Sequence, residues 1–498
     1  MSIQAGKGKV TKKKSGAGYK NVWIYVPSNL SRDSAFPFKD GDDVEIEIRD
    51  KQMIIRPHNT LKDRISEYGM ENVTLKHLIE TKAVENQERP FLYFNDEIYS
   101  YQQINAEANR IAHGIMKLVG EYIKQNPPKI AVFLPNCPEF FFCWFGISKT
   151  GMIFVPVDRF LRGDSLKFVL DHCDCEYLVL DYEFLESFKE IRAALPRIKK
   201  VIIRNPPADF KSDEFYRNLT EIVSNDTSNP NIPIITNDIM EIIYTEGTTG
   251  NPKGVVYRNM KVLSGLIISE GLGSGRYGQV KLIYCPAPLY QAFFQLDIIF
   301  PTMFLNASIA IAERFDASTF WEDVRRYKAD LIIYYGGILQ TLFNQAPRDN
   351  DRDQPAKWAI GGEAPRHIWE NFENRFGITL IEGWGATEAV ASIINRRGSR
   401  GGKLGSIGIP LDGFEVKVVD ENGKELPPGP QHIGEIITKT FTPSLLEYYK
   451  EPEATPMIRG KDGYVYTGDM AYRDKDGYLY YTGRKADIIK RLGGSIPA

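Results

Sequence analysis

The sequence has little cysteine, and its cysteines form neither a disulfide framework nor a metal site. Among 498 residues there are five, and their spacing matches no paired framework and no set of metal ligands. The one metal-like cluster, HCDC at 172–175, has no second pair of ligands and leads into an apolar run, which predicts a junction between a helix and a strand. Since the first residues also carry no signal-peptide pattern, we expect a protein of the reducing cytoplasm.

Long apolar runs and an excess of one charge are also missing. No apolar run approaches the roughly 20 residues that a membrane-spanning helix needs, so any membrane contact should be peripheral. Basic and acidic residues nearly balance, 62 against 64, which argues against a chain devoted to polyanions. With 43% hydrophobic and 25% charged residues, the chain can bury a large core in two or three domains.

The first 57 residues differ from the rest. Six lysines and no acidic residue occupy positions 1–20, and strand patterns follow at 22–27, 44–48 and 53–57 with a Gly-Asp turn between the first two. This pattern resembles the AbrB/SpoVT-like swapped-hairpin module, in which two chains interlock and bind DNA. The resemblance implies a homodimer and leaves contact with nucleic acid open. The alternative is a solvated lysine tail on a dimerising or docking hairpin.

Beyond residue 58, apolar strand patterns alternate with helical ones, which predicts an α/β fold. A helix is expected around 99–112 with Ile104, Ala108 and Ile111 on one face. Buried strands are expected at 129–136 and 153–158. Residues 315–327 have the pattern of a capping box with an apolar face.

A loop rich in glycine and threonine follows the apolar run at 242–244 and is suited to holding phosphate. Glycines let the backbone approach an anion, successive N–H groups and threonine hydroxyls donate to it, and a lysine adds a mobile positive charge. The lysine follows a proline and precedes Gly254, so the loop is not a Walker A motif. The residues expected to contact phosphate are Thr245, Gly247, Thr248, Thr249, Gly250 and Lys253.

Three later segments complete a nucleotide site. Gly361, Gly362 and Glu363 end a strand and leave room for a flat ring. In the EGWGATE segment the glycines permit close approach, Trp384 offers an aromatic face, a threonine can bond phosphate, and a glutamate suits Mg²⁺; its site residues are Gly383, Trp384, Gly385, Thr387 and Glu388. Asp469 can accept two hydrogen bonds from a ribose diol.

The loop TEGTTGNPKG and these segments resemble the adenylate-forming superfamily, which includes acyl- and aryl-CoA synthetases. The resemblance implies a large adenylate-forming domain of stacked α/β/α subdomains with a small β-barrel. It makes Arg484 a contact of the ribose and α-phosphate, Glu388 and Thr248 the metal ligands, and Lys253, Thr248, Thr387 and Glu388 the catalytic set. ATP, Mg²⁺ and CoA are implied as cofactors and co-substrates. Segments at 161–166 and 334–347 look closest to the fatty-acid transport protein and very-long-chain acyl-CoA synthetase branch.

Several positions depart from the pattern of that family. Glu246 stands where a small residue is common, Trp384 replaces tyrosine, Gln291 replaces a gating histidine that could titrate, and Ala486 occupies the hinge position. The chain stops where the family's lysine-bearing C-terminal lid domain would begin, so we expect that domain to be essentially absent and thioester formation by this chain to be uncertain.

We therefore predict three regions: an AbrB-like module at 1–57, an AMP-binding domain at 58–484, and the hinge with the start of a C-terminal domain at 485–498. The expected reaction is ATP-dependent activation of a carboxylic acid, with a fatty acid as the favoured substrate, to acyl-AMP and then to a CoA thioester. Two alternatives stay open. One is an aryl-, carnitine- or bile-acid-type CoA ligase, and the other is a DNA-binding regulator with a ligand-sensing adenylation fold.

Overall fold

The computed structural model describes residues 9–14, 20–25, 44–49, 52–57, 65–66, 68–245, 251–273, 280–389, 392–395, 402–440, 447–453, 455–460, 462–485, 488–491 and 494–497. The chain forms two compact units, residues 1–67 and 68–498, each described by itself below. Six individually named residues lie outside the described residues, as do the predicted Gly-Asp turn and the last two positions of the strand expected at 22–27. The six residues are Glu246, Gly247, Thr248, Thr249, Gly250 and Ala486.

The described residues of the first unit form two antiparallel strand pairs. Strand β1 (Lys9–Lys14) pairs with β2 (Lys20–Tyr25), and β3 (Val44–Arg49) pairs with β4 (Gln52–Pro57). The three strand predictions in this region are confirmed. Strand β1 lies in the lysine-rich segment that was expected to be a tail; its backbone pairs with the apolar β2, which the charge pattern alone does not indicate.

The second unit contains twelve described α-helices, which we number in chain order: α1 (Leu75–Asn86), α2 (Tyr101–Val119), α3 (Pro138–Thr150), α4 (Gly163–His172), α5 (Leu185–Ile191), α6 (Leu219–Ile222), α7 (Val262–Gly273), α8 (Phe300–Phe304), α9 (Phe320–Tyr327), α10 (Gly336–Phe343), α11 (Trp369–Phe376) and α12 (Thr455–Ile458). A π-helix, Phe293–Ile299, leads into α8. Short 3₁₀ turns lie at Met70–Asn72, Tyr182–Phe184, Arg192–Ala194 and Asn259–Lys261.

Its strands continue the numbering: β5 (Pro90–Phe94), β6 (Glu97–Ser100), β7 (Lys129–Phe133), β8 (Ile153–Pro156), β9 (Cys175–Asp181), β10 (Lys200–Arg204), β11 (Tyr216–Asn218), β12 (Ile239–Tyr244), β13 (Gly254–Arg258), β14 (Leu282–Cys285), β15 (Ser308–Ile311), β16 (Leu331–Tyr335), β17 (Trp358–Gly362), β18 (Thr379–Trp384), β19 (Ile393–Asn395), β20 (Ile409–Pro410), β21 (Phe414–Val419), β22 (Gly434–Thr440), β23 (Val465–Arg473), β24 (Leu479–Arg484), β25 (Ile488–Arg491) and β26 (Gly494–Pro497).

Two large mixed sheets carry the fold. One has the strand order β11-β10-β9-β7-β8-β12-β13, parallel except for its last pair, and the other has the order β20-β19-β18-β17-β16-β14-β15-β5-β6, antiparallel only near its edges. A four-stranded antiparallel sheet, β21-β22-β23-β24, follows, and β25 pairs with β26. The predicted α/β class is confirmed.

Helix α3 joins the two large sheets through its aromatic side chains. It is apolar nearly all round, as expected for a helix buried between layers. Phe140 meets Phe154 of β8 edge to face at 5.6 Å, and Phe141 meets Phe91 of β5 at 6.1 Å. Because β8 and β5 belong to different sheets, α3 packs against both large sheets.

Most local predictions in this unit hold. Helix α2 starts after a capping box in which the Ser100 hydroxyl accepts from Gln103 N and the Gln103 side chain accepts from Ser100 N. The HCDC segment joins α4 to β9, as predicted. The capping box expected within 315–327 is wrong: α9 begins at Phe320 without a side-chain cap, and Asp316 Oδ1 accepts from Ser318 instead. Among the described residues, no helix is long and apolar enough to cross a membrane.

Candidate functional site

A cavity of about 1250 Å³ lies where strands of both large sheets end, and the four-stranded sheet also contributes to its lining. Its wall includes the carboxyl-terminal residues of β12, β16, β17 and β18, the usual place for a ligand in an open α/β sheet. Single-ligand pockets are commonly about 300–1,000 Å³. The cavity therefore has room for more than one small molecule.

Every predicted site residue that the structure describes lines this cavity: Thr245, Lys253, Gly361, Gly362, Glu363, Gly383, Trp384, Gly385, Thr387, Glu388, Asp469 and Arg484. These residues come from four sequence segments spread between positions 245 and 484. Strand order brings them together, since β12, β17 and β18 end on the same cavity.

Asp469 and Arg484 are directly opposite each other on β23 and β24. Arg484 Nε lies 3.1 Å from Asp469 Oδ1, and the Trp384 indole N–H donates to Asp469 Oδ2 at 3.1 Å. Burial raises the pKa of Asp469 to about 6, against the opposing effect of Arg484. A buried carboxylate held between an aromatic ring and a guanidinium is thus available to accept hydrogen bonds above that pH.

The phosphate-loop lysine stands at the entrance to β13, and Thr245 closes the loop at its base. Thr245 N donates to Lys253 O at 3.0 Å, and Lys253 N donates back to the Thr245 hydroxyl at 3.2 Å. The Lys253 side chain is 43% exposed, and its ammonium lies 3.9 Å from Glu451 Oε2 and 4.9 Å above the ring of Tyr448. It is a charge that can move toward an anion.

Glu388 and Thr387 follow β18, and two tyrosines from elsewhere in the chain hold them. The Tyr448 hydroxyl donates to Glu388 Oε1 at 2.7 Å, and the Tyr257 hydroxyl donates to the Thr387 carbonyl. Both rings are buried. Desolvation raises the pKa of each phenol well above its usual value, so each remains a hydrogen-bond donor at physiological pH.

The glycines at the end of β17 lie in close contact with neighbouring backbone. A side chain at Gly361 would place its Cβ 2.0 Å from Tyr334 O, and one at Gly336 would meet Glu363 O at 2.0 Å. Glu363 has the left-handed φ of 65°. Glu382 accepts hydrogen bonds from Ala364 N at 3.1 Å and from the Tyr334 hydroxyl at 2.7 Å, while burial raises the pKa of Glu382 to about 7.

The charges that line the cavity favour a bound cation. Nine described lining residues carry charged side chains, seven acidic and two basic: Asp158, Asp297, Glu363, Glu382, Glu388, Glu451, Asp469, Lys253 and Arg484. The described residues contain no cluster of three or more metal-ligating side chains. Mg²⁺ suits such a site, because it usually binds one or two carboxylates together with substrate phosphates. Glu388 fits this role.

The rest of the lining is mostly apolar. It includes Ile268, Leu272, Ile283, Phe293, Leu296, Ile298, Leu331, Ile333 and Ile360. The Tyr335 hydroxyl donates to Gln291 Oε1 at 2.6 Å, so the residue that replaces the expected histidine takes part in a hydrogen bond at the cavity wall. An apolar group could bury itself here against aliphatic side chains.

Sequence reasoning missed four residues near the site: Tyr257, Glu382, Tyr448 and Asp297. For Glu382 a signal existed, because a lone acid in the apolar run of β18 is unusual for a buried strand. Asp297 carried a similar signal among the apolar residues 293–300. Nothing in the sequence separates Tyr448 from the other tyrosines of the chain.

Comparison with known proteins agrees with this geometry. The family model described as "AMP-binding enzyme" matches residues 79–449. The crotonobetaine/carnitine–CoA ligase of Salmonella enteritidis PT4 is 30% identical over 404 residues, which cover 80% of this chain and 76% of that protein; its counterpart in Salmonella agona is 29% identical over 405 residues, with the same shares.

Solved structures share the fold. The anthranilate CoA ligase AuaEII in complex with anthranoyl-AMP superposes with a TM-score of 0.76 and 22% identity, covering 87% of this chain and 82% of that one. The inhibitor-bound N-terminal domain of FACL13 from Mycobacterium tuberculosis has a TM-score of 0.71 and 24% identity, covering 82% of this chain and 99% of that one. The chain belongs to the AMP-binding enzyme family and is an ATP-dependent acyl-CoA ligase.

Proposed function

We propose that the cavity joins ATP to an apolar carboxylic acid, with a fatty acid as the favoured substrate, and that the acyl-AMP then reacts with CoA. One observation carries this proposal: the same cavity is lined by a set of nucleotide-type polar residues and by a large aliphatic surface. A carboxylate oxygen attacks the α-phosphorus and pyrophosphate leaves. Since the nucleophile is already anionic, no general base is required, and the protein acts by positioning and electrostatics.

In this proposal different polar residues bind different parts of the nucleotide. Asp469 accepts hydrogen bonds from the ribose diol, Arg484 contacts the ribose and α-phosphate, and Trp384 with its flanking glycines packs against adenine. Gly361, Gly362 and Glu363 border the same ring.

The phosphates are bound by Lys253, Thr387 and the loop residues Thr245, Gly247, Thr248, Thr249 and Gly250. Thr248 would bind the metal together with Glu388. Mg²⁺, when bound, offsets the charge of the leaving pyrophosphate.

A pyrophosphate-exchange assay over a panel of acids tests the proposal. The assay would measure the exchange rate with octanoate, palmitate, benzoate and carnitine. Each acid would be tested with the wild-type chain and with the variants Lys253→Met, Glu388→Gln and Asp469→Asn. We expect exchange with the fatty acids and a loss of at least about 100-fold in the first two variants. Glu370→Gln, an exposed carboxylate on α11, is the matched control. Exchange with the other acids and none with fatty acids would overturn the substrate proposal.

A second candidate substrate is an acid that carries a quaternary ammonium group. Aromatic faces and a carboxylate recognise such a cation, and Asp297 lines the cavity together with Tyr290, Phe293 and Tyr335. The Salmonella relatives are named for crotonobetaine and carnitine. Burial lowers the pKa of Lys261 to about 8, and the nearby Asp297 opposes this by favouring the charged form of the lysine. The negative charge of Asp297 is therefore already partly balanced by Lys261.

Asp297→Asn separates the two candidates. If the acid is cationic, this variant should raise the KM for carnitine and leave octanoate inactive. If the acid is apolar, the KM for octanoate should stay the same or fall. Asp349→Asn, at an exposed position, is the control.

The amino-terminal unit supports a separate proposal of a paired, AbrB-like module. The two antiparallel strand pairs and the run of lysines support this proposal. We also propose that the chain belongs to the fatty-acid transport branch and that its domain boundaries lie at residues 57 and 484. Sedimentation of the whole chain would test for a dimer. Salt-dependent binding to duplex DNA, lost when the lysines of β1 become glutamine, would support nucleic-acid contact.

A further inference from the structure

A short segment, Glu447 to Glu451, lies alongside β13 and is called the 447–451 segment below. Val256 N donates to Glu447 O at 2.9 Å, and Tyr449 N donates to Gly254 O at 2.7 Å. A bridge between Val255 and Tyr448 completes the pairing. The segment therefore extends the seven-stranded sheet beyond β13, next to the phosphate-loop lysine.

Side chains anchor this segment on both sides of Tyr448. Glu447 forms an ion pair with Arg258 at 2.8 Å. The Tyr449 hydroxyl donates to Asp174 at 2.9 Å, and Lys450 lies 2.7 Å from the same carboxylate. With its neighbours tied to β13 and to the loop before β9, the Tyr448 ring has little freedom to move.

Tyr448 contacts both charged groups that the proposed function assigns to the triphosphate. Its ring lies under the Lys253 ammonium at 4.9 Å, and its hydroxyl donates to Glu388 Oε1 at 2.7 Å. Lys253 immediately precedes β13 of the seven-stranded sheet, whereas Glu388 follows β18 of the nine-stranded sheet. Tyr448 is 5% exposed, so its hydrogen bond competes little with water.

We propose that Tyr448 is a positioning residue that sets the distance and orientation of Glu388 relative to Lys253 and thereby prepares the site for metal-bound triphosphate. This inference rests on the proposed function of the cavity. A hydrogen bond to one oxygen of a ligating carboxylate restricts the other, and Mg²⁺ demands near-ideal octahedral geometry. The ring, in turn, holds the lysine in place through a cation–π contact until phosphate draws it away.

Tyr448→Phe tests the hydroxyl and leaves the ring under Lys253. Binding of Mn²⁺ in the presence of α,β-methylene-ATP, followed by electron paramagnetic resonance, measures metal affinity without turnover. We expect about 10-fold or greater weakening, the scale seen when a supporting hydrogen bond to a metal ligand is removed. In exchange assays the Mg²⁺ concentration for half-maximal rate should rise equally, with the KM for the carboxylate unchanged. Tyr182→Phe, a partly exposed tyrosine, is the matched control.

A double-mutant cycle tests whether Tyr448 affects metal binding through Glu388. In a Glu388→Gln background, Tyr448→Phe should weaken Mn²⁺ binding no further, because the group that it positions is already lost. Equal metal affinity of Tyr448→Phe and wild type would overturn the inference, and so would equal weakening in both backgrounds. If the wild type binds Mn²⁺ with the analogue but exchanges no acid, the proposed function fails while the positioning role stands.

Discussion

Glu241 lies in the middle of β12 with its carboxyl group buried in the core, and its replacement should stabilise the protein. Its exposed fraction is 0%. Among the described residues, neither of its oxygens nor the nearby Trp144 indole nitrogen has a hydrogen-bond partner. Desolvation raises the pKa of Glu241 to about 8, and the proximity of Trp144 opposes this only in part. The folded protein therefore holds a proton that the unfolded chain releases near its ordinary pKa.

The size of this effect follows from proton linkage. The carboxyl group titrates at its model value of 4.5 when unfolded and at about 8 when folded, so at pH 7 the native state loses about 3 kcal/mol relative to a neutral group. Stability should fall as pH rises from about 4.5 to 8 and should be unaffected by this group below that range. Glu241→Gln removes the titration and keeps the shape of the side chain.

Urea and thermal unfolding at pH 5 and pH 8 would measure the change. Glu241→Gln should lie close to wild type at pH 5 and exceed its unfolding free energy at pH 8, with the difference growing steadily as the pH rises. Glu370→Gln, exposed on α11, controls for the loss of one negative charge. If Glu241→Gln and wild type keep a constant difference across this range, Glu241 titrates normally and the reasoning is wrong.

Three further predictions concern the cavity. Because burial raises the pKa of Asp469 to about 6 and the ionised form accepts the hydrogen bonds, the KM for ATP should rise as pH falls below 6; Asp469→Asn should raise it about 10–100-fold at pH 7 and remove that pH dependence, and a persisting dependence would point to another group. Lys253→Met should lower the exchange rate with little change in the KM for the acid, whereas Lys253→Arg should retain part of the rate; equal rates in both would contradict the phosphate role. Gly361→Ala should lower the melting temperature and abolish exchange, because its Cβ would lie 2.0 Å from Tyr334 O; Gly337→Ala, with nothing within 4 Å of its Cβ, is the control and should be neutral or slightly stabilising.

The sequence predicted local structure correctly where residues close together in the chain determine that structure. The buried face of α2, with Ile104, Ala108 and Ile111, depends on spacings of three and four residues, which the sequence displays directly. The expected box in 315–327 failed because Asp316 satisfied its hydrogen bonds within its own turn, a competition that short polar side chains commonly win. Strand β1 was missed because its pairing partner, not its lysines, makes it a strand.

The sequence by itself determined the chemistry of the site: a phosphate-type loop ending in Lys253, a glutamate suited to Mg²⁺ and an aromatic face at Trp384 are visible as short motifs, since each depends on residue type and near spacing. Tertiary structure decided which of these groups meet. It placed Asp469 opposite Arg484 and within hydrogen-bonding distance of the Trp384 indole nitrogen, buried Glu241 in the core, and brought Tyr448 between Lys253 and Glu388 from 195 and 60 positions away. Those contacts depend on strand order and on the packing of two sheets about α3, which no local pattern encodes.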